Sequence, residues 1–134
     1  MILVDTSVWI EHLRGTQSRA AVEFAALIRR DPGTIATCDP IAMELLSGPT
    51  DPFTVHRIEN QLGSLINLDL ETFTDFRQAA VLARAVRVSG HTVRSLVDCL
   101  IAVVAIRTDA ELWHRDEDFA RIAAVSRLHQ RDLR

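Results

Sequence analysis

Short apolar runs alternate with longer amphipathic stretches along the 134-residue chain, and this alternation predicts an α/β architecture. Residues 2–4 are too few and too apolar for anything but a buried strand, and the opening Met1-Ile2-Leu3-Val4-Asp5 carries no basic leader. Residues 6–13 read as a short helix ended by Gly15. Residues 18–29 place Ala21, Phe24, Ala25 and Ile28 at helical spacing and are broken by Asp31-Pro32-Gly33. Residues 34–37 form a second strand. Asp39 and Pro40 then open a helix as N-cap and first helical residue, and Ser47-Gly48-Pro49 close it. A helix over 52–61 stops at Gly63, and 65–68 form a third strand. The long helix over 71–88 is expected to turn Phe73, Phe76, Ala80, Ala83 and Val86 inward and to end near Ser89-Gly90. A helix over 95–106, a strand over 111–114, a helix over 116–124 and a weak terminal strand near 126–129 complete one three-layer domain over residues 1–134, without repeats or linkers.

One residue disturbs this pattern. Asp98 is set into the otherwise apolar run of the 95–106 helix. A helix that is hydrophobic all round is normally buried, and taking an unpaired carboxylate out of water costs several kcal/mol even after relaxation. Asp98 must therefore be compensated by a helix N-terminus, a basic side chain or a metal ion.

Three more acids occupy comparable joints. Asp5 follows the first strand and precedes a helix, Glu44 lies in the helix after the second strand, and Asp116 follows the fourth strand at the next helix start. Residues just beyond the carboxyl ends of strands in an open parallel sheet line a common crevice. Singly, each acid has a structural explanation: Asp5 and Asp116 as N-caps, Ser95 with Asp98 as a variant capping box, Glu44 as an exposed helix residue. Together they point elsewhere. Gathered in a crevice, carboxylates repel by roughly 4 kcal/mol per pair at about 4 Å in an effective dielectric of about 20, so a cation is needed. All-oxygen ligands favour Mg²⁺ or Mn²⁺ over zinc, and an acidic site for such ions suggests phosphoryl chemistry.

Composition narrows the alternatives. With 48% hydrophobic residues the chain has ample core material, and no apolar run is long enough to span a bilayer. Cys38 and Cys99 are far apart and form no metal-binding pair, which suits small buried residues in a reducing cytoplasm. The net charge of −3 does not announce a nucleic-acid binder. All 15 basic residues are Arg, for which genome base composition is the plain explanation. Without Lys there is no Walker A lysine, Schiff-base lysine or lysine-assisted phosphoaspartate site. Arg nonetheless grips phosphate well.

Four stretches carry a family resemblance: residues 1–10 from Met1 through Asp5 to Ile10, Glu44-Leu45-Leu46-Ser47-Gly48, Val97-Asp98-Cys99-Leu100-Ile101-Ala102, and residues 112–119 from Leu112 through Asp116 to Phe119. In this order, over nearly the whole chain, they resemble the PIN-domain family and, within it, the VapC-type toxins of type II toxin–antitoxin modules. The resemblance implies an α/β/α sandwich around a parallel sheet and a Mg²⁺- or Mn²⁺-dependent endoribonuclease that leaves 5′-phosphate and 3′-hydroxyl ends. It makes Asp5, Glu44, Asp98 and Asp116 the acidic quartet, with Asp5 and Asp98 as principal metal ligands. Thr6 or Ser7 would support the first carboxylate, and Asp118 would be an accessory acid. It further implies RNA as substrate, a small VapB-like antitoxin as partner and a homodimer. Val8, Trp9, Leu13, Phe24 and Ile28 are expected to supply apolar residues for a groove that takes an antitoxin helix.

The remaining polar and aromatic residues add little. His12, His56, His91, His114 and His129 lack metal-ligand spacing and read as structural or surface residues, while Trp9 and Trp113 read as core or interface. Arg14, Arg94 and Arg115 should approach the crevice rim, with solvated roles as plausible as RNA contact. Two other functions compete. An aspartate-nucleophile phosphatase would need a second Asp where Thr6-Ser7 follow Asp5, and a Lys that the chain lacks. A non-catalytic module acting in an antitoxin–operator DNA complex would gain nothing from clustered charge.

Overall fold

The computed structural model describes residues 1–134. Its five strands are β1 (Ile2–Val4), β2 (Ile35–Thr37), β3 (Ile66–Asn67), β4 (Glu111–His114) and β5 (Gln130–Asp132). All neighbouring pairs are parallel, in the order β3-β2-β1-β4-β5. Parallel strands need crossover connections, and seven helices supply them: α1 (Thr6–Leu13), α2 (Arg19–Arg30), α3 (Asp39–Ser47), α4 (Pro52–Gly63), α5 (Thr72–Val88), α6 (Leu96–Thr108) and α7 (Glu117–Ala123). One group packs α1 against α2 and α3, and α3 against α4; the other packs α5, α6 and α7 together. The sheet lies between them, giving the expected three layers. Leu3, Val4 and Ala36 on the central strands are wholly buried, as strands covered on both faces must be. A connected core of 32 residues runs through both helical groups, including Val8 and Phe24 from one and Leu82 and Ile122 from the other. No helix is long and apolar enough to cross a membrane.

The strand order decides where a site can form. From β1 the chain passes to β2 and β3 on one side, then returns to β4 and β5 on the other. The reversal lies between β1 and β4, whose paired ends are Val4 and Trp113. At such a switch point the outgoing connections diverge and leave a crevice beyond the strand ends. Asp5 and Asp116 occupy its two rims.

Several local expectations are corrected. The buried stripe of α5 is Asp75, Ala79, Leu82 and Val86; Phe73 and Phe76 face outward, 70% and 52% exposed, Ala80 is exposed and Ala83 half-buried. The alternative stripe wins because Asp75 finds its partner in α6: Arg107 Nε and Nη2 donate to its two oxygens at 2.9 and 2.8 Å. Phe73 is partly covered from outside by the Arg77 guanidinium, 3.9 Å from its ring centre. The terminal strand begins at Gln130 rather than 126. Val125 and Ser126 still close the turn after α7 through Ile122 and Ala123, and Leu128 turns into the core. The N-cap of α3 is Cys38, whose carbonyl accepts from Ala42 at 3.0 Å, so Asp39 is already helical. Thr34 belongs to a 3₁₀ turn over Pro32–Thr34, which delays β2 by one residue. Val8, Trp9 and Phe24 lie in the core, yet Trp9 and Phe24, with Ile28, border a cavity of about 230 Å³, and Leu13 lines a second groove. Leu13 and Ile28 remain half-buried.

Candidate metal centre

Asp5 sits one residue past β1. Its backbone N–H donates to Trp113 O at 2.9 Å, fixing the joint against β4. Its side chain caps α1: Oδ2 accepts from the Ser7 N–H at 2.9 Å and the Ser7 hydroxyl at 2.5 Å. Ser7 Oγ also accepts from the Arg115 N–H at 3.0 Å, so one hydroxyl ties the two rims of the crevice together. Asp116 caps α7 in the same way, with Oδ1 accepting from the Asp118 N–H at 2.9 Å. The structural explanation of these two acids is therefore correct but incomplete. Each cap occupies one carboxylate oxygen, and Asp5 Oδ1 and Asp116 Oδ2 accept no hydrogen bond from the protein.

Asp98 is different. Ser95 caps α6, accepting from the Val97 N–H at 3.2 Å, and the reciprocal bond of a capping box is not made. No protein donor reaches the half-buried Asp98 carboxylate. Burial, reinforced by the charges of Asp5, Asp116, Glu44 and Asp118, pushes its pKa up to about 7. Asp5 is also raised, by burial, against the opposing pull of its Ser7 hydrogen bonds. Burial first and Asp5 second raise Glu44. Desolvation thus leads mutual repulsion as the cause, and both act in the direction that a bound cation reverses.

Asp98 feels the charge of each of the other three expected acids, and Glu44 feels that of Asp5, but the group gathered within a few ångströms has a different membership. Carboxylate oxygens of Asp98, Asp116 and Asp118 lie within 4.8 Å of one another. Asp118 is fully buried, and both its oxygens are taken: Oδ2 by the Arg94 N–H at 2.9 Å and Arg94 Nε at 3.2 Å, Oδ1 by Arg121 Nη1 at 3.2 Å. Burial raises Asp118, and these partners overcome it, holding the pKa below the usual carboxylate range. Asp118 braces the site rather than offering a free ligand oxygen. Glu44 is half-buried, not exposed, and accepts from the Thr6 hydroxyl at 2.8 Å. The two hydroxyls of the first turn therefore divide their work: Ser7 holds Asp5, and Thr6 holds Glu44 across 38 residues of sequence.

Hard oxygen donors suit a divalent cation of the Mg²⁺ class, and the unpartnered oxygens of Asp5, Asp98 and Asp116 meet that requirement. The nearby nitrogens are committed elsewhere. His114 Nδ1 accepts from the Asp116 N–H at 3.1 Å, so Nε2 carries the proton, 2.5 Å from Gln130 Oε1. The thiols are inert, burial driving Cys38 up to about 12 and Cys99 to about 11. Of the three rim arginines, Arg115 pairs with Glu11, Arg14 lines a neighbouring groove, and only Arg94 touches the acids. Arg121 was missed in the sequence, although its position one helical turn beyond Asp118 could have signalled it. The Thr6–Glu44 and His114–Asp116 contacts carry no such local sign.

Known proteins resemble this chain over most of its length. A profile of the PIN domain matches residues 2–125. The chain is 47% identical to Ribonuclease VapC11 of Mycobacterium tuberculosis, over 100% of both chains. It is 28% identical to Ribonuclease VapC18 of the same species, over 92% of this chain and 88% of that one. The fold is similar to that in the structure of VapBC-1 from nontypeable Haemophilus influenzae, with a TM-score of 0.76, 18% identity, and coverage of 99% and 98% of the two chains.

Proposed function

This chain belongs to the PIN-domain family, and on that premise we propose that it is the toxin of a toxin–antitoxin pair, a Mg²⁺- or Mn²⁺-dependent endoribonuclease. The observation that carries the reading is Asp98: a carboxylate without a protein donor, pushed up to about 7 among other acids. Such a group is strained without a cation and satisfied with one. Asp5, Asp98 and Asp116 would hold the ion, and Glu44 would complete the acidic wall. Bound there, the cation would neutralise the carboxylates, polarise a phosphate oxygen and acidify an adjacent water. The chain's own part is orientation: the Ser7 hydroxyl aims Asp5, the Thr6 hydroxyl aims Glu44, and the α7 cap aims Asp116. An RNA loop with splayed bases is a suitable substrate, cleaved to 5′-phosphate and 3′-hydroxyl ends in the cytoplasm. Incubation of the purified protein with structured RNA tests the reading. Cleavage is expected with Mg²⁺ or Mn²⁺, and a chelator should abolish it; undiminished cleavage in excess chelator overturns it.

An uncontrolled ribonuclease requires restraint, and the surface offers places for it. Ile10, Leu13, Arg14, Glu44, Leu45 and Ile58 line a groove of about 340 Å³ that runs to the acidic wall. An amphipathic antitoxin helix would fit there, with a basic side chain reaching Glu44. On the other helical group, Phe76, Ala79, Ala80, Leu96, Val97 and Leu100 form a wholly apolar groove of about 310 Å³, suited to a second copy of this chain. Co-expression with the small reading frame next to its gene should give an inactive hetero-oligomer containing paired toxin chains. Recovery of free, active monomer counts against both contacts.

A further inference from the structure

Arg94 lies between α5 and α6, outside either helix. Its guanidinium makes two bonds to the acids: Nη2 donates to Asp116 Oδ1 at 2.7 Å, and Nε to Asp118 Oδ2 at 3.2 Å. Its backbone N–H adds a third, to Asp118 Oδ2 at 2.9 Å. The side chain is nevertheless 72% exposed, whereas the Asp118 side chain is fully buried. These anchors differ in permanence. The backbone bond and Arg121 keep Asp118 in place whatever the guanidinium does. The bond to Asp116 lies on the solvent side, and breaking it leaves Asp116 still held by its own helix cap.

We propose that Arg94 is a built-in counter-cation that occupies Asp116 in the metal-free protein and competes with the divalent ion for it. The inference rests on the metal-dependent reading above and adds a residue that sets how tightly the ion is held. A positive charge hydrogen-bonded to one oxygen of a ligand carboxylate weakens that ligand toward a second cation, by an amount that solvent and salt reduce. Release of Nη2 on metal binding would also leave a guanidinium at the mouth of the site, with donors free for an RNA phosphate.

Calorimetric titration with Mn²⁺ alone, without RNA, tests the proposal on the folded wild-type chain and on Arg94→Gln, Arg94→Lys and Arg121→Gln. Arg94→Gln is expected to bind Mn²⁺ roughly tenfold more tightly at low ionic strength. That advantage should shrink as salt is raised, a dependence that loss of a merely structural contact would not produce. Arg94→Lys should stay near wild type, as should Arg121→Gln, which touches Asp118 but not Asp116. Unchanged or weaker binding by folded Arg94→Gln, beside measurable wild-type binding, overturns the counter-cation role and leaves the metal site standing. Failure of every protein to bind Mn²⁺ removes both.

Discussion

Asp98→Asn is expected to lower metal-dependent RNA cleavage by about 10²–10³-fold while making the metal-free protein more stable at neutral pH. The two effects share a cause. The folded-state pKa of Asp98 is raised from 3.8 to about 7, so between these values the native protein binds more protons than the unfolded chain. Stability must then fall as pH rises through that window. Above it, folding carries the full cost of an ionised Asp98. Unscreened, the shift would correspond to roughly 4 kcal/mol; partial solvent exposure reduces this to about 1–2 kcal/mol. Asparagine keeps the shape and removes the ionisation. Urea unfolding in chelator at several pH values reads the difference, which should favour the variant at pH 8, shrink to roughly a third at about pH 5 and vanish only below the unfolded-state pKa of 3.8. A variant less stable than wild type at pH 8 would show that Asp98 contributes more as a structural contact than it costs as a charge.

The largest loss of stability is expected from Asp75→Ala, far from the acids. Asp75 is 1% exposed and joins three segments. It accepts both Arg107 bonds from α6 and the Glu71 N–H at the start of its own helix at 2.9 Å, and Arg107 Nη2 reaches on to the carbonyl of Asp69 at 2.6 Å. Removing the carboxylate leaves a guanidinium with 29% exposure held by the Asp69 carbonyl and, as its remaining acidic partner, the more distant Glu71 at 3.7 Å. Breaking a buried pair from one side costs about 3–5 kcal/mol, and the part-exposed arginine places this case near the lower figure. The midpoint of denaturation should fall accordingly, while metal-supported cleavage survives wherever the protein is folded. A change under about 1 kcal/mol would mean that the pair behaves as an ordinary surface contact.

That pair also explains where the sequence was hardest to read. Two candidate stripes run along α5, one carrying Phe73 and Phe76, the other Asp75, Ala79, Leu82 and Val86. Hydrophobicity alone favours the aromatics. The choice is made by Arg107, 32 residues away, which no periodicity reveals. Asp98 was legible for the opposite reason: a lone carboxylate in an apolar run has few acceptable fates, wherever its neighbours are. Asp5 and Asp116 could be placed because strand ends and helix starts are written locally, in short apolar runs and capping residues. Their common crevice then follows from the parallel sheet. What the sequence could not give is the division of hydroxyls between Asp5 and Glu44, or the saturation of Asp118, because these depend on distances across the switch point. The terminal strand was placed too early because Gln130, Arg131 and Asp132 are all polar and show no alternation.

That polar strand has a consequence for how copies of this chain meet. The sheet ends on one side at β5, three residues long, and on the other at β3, two residues long. Neither edge presents enough consecutive free backbone groups to template another strand, which is how exposed edges recruit neighbours and seed fibres. Association through sheet extension is thereby closed off at both borders. Any stable assembly has to be made by helical surfaces, where contact depends on matching side chains rather than on a backbone pattern that every protein shares. For a chain whose free form is proposed to be harmful, that restricts its companions to those with complementary side-chain surfaces.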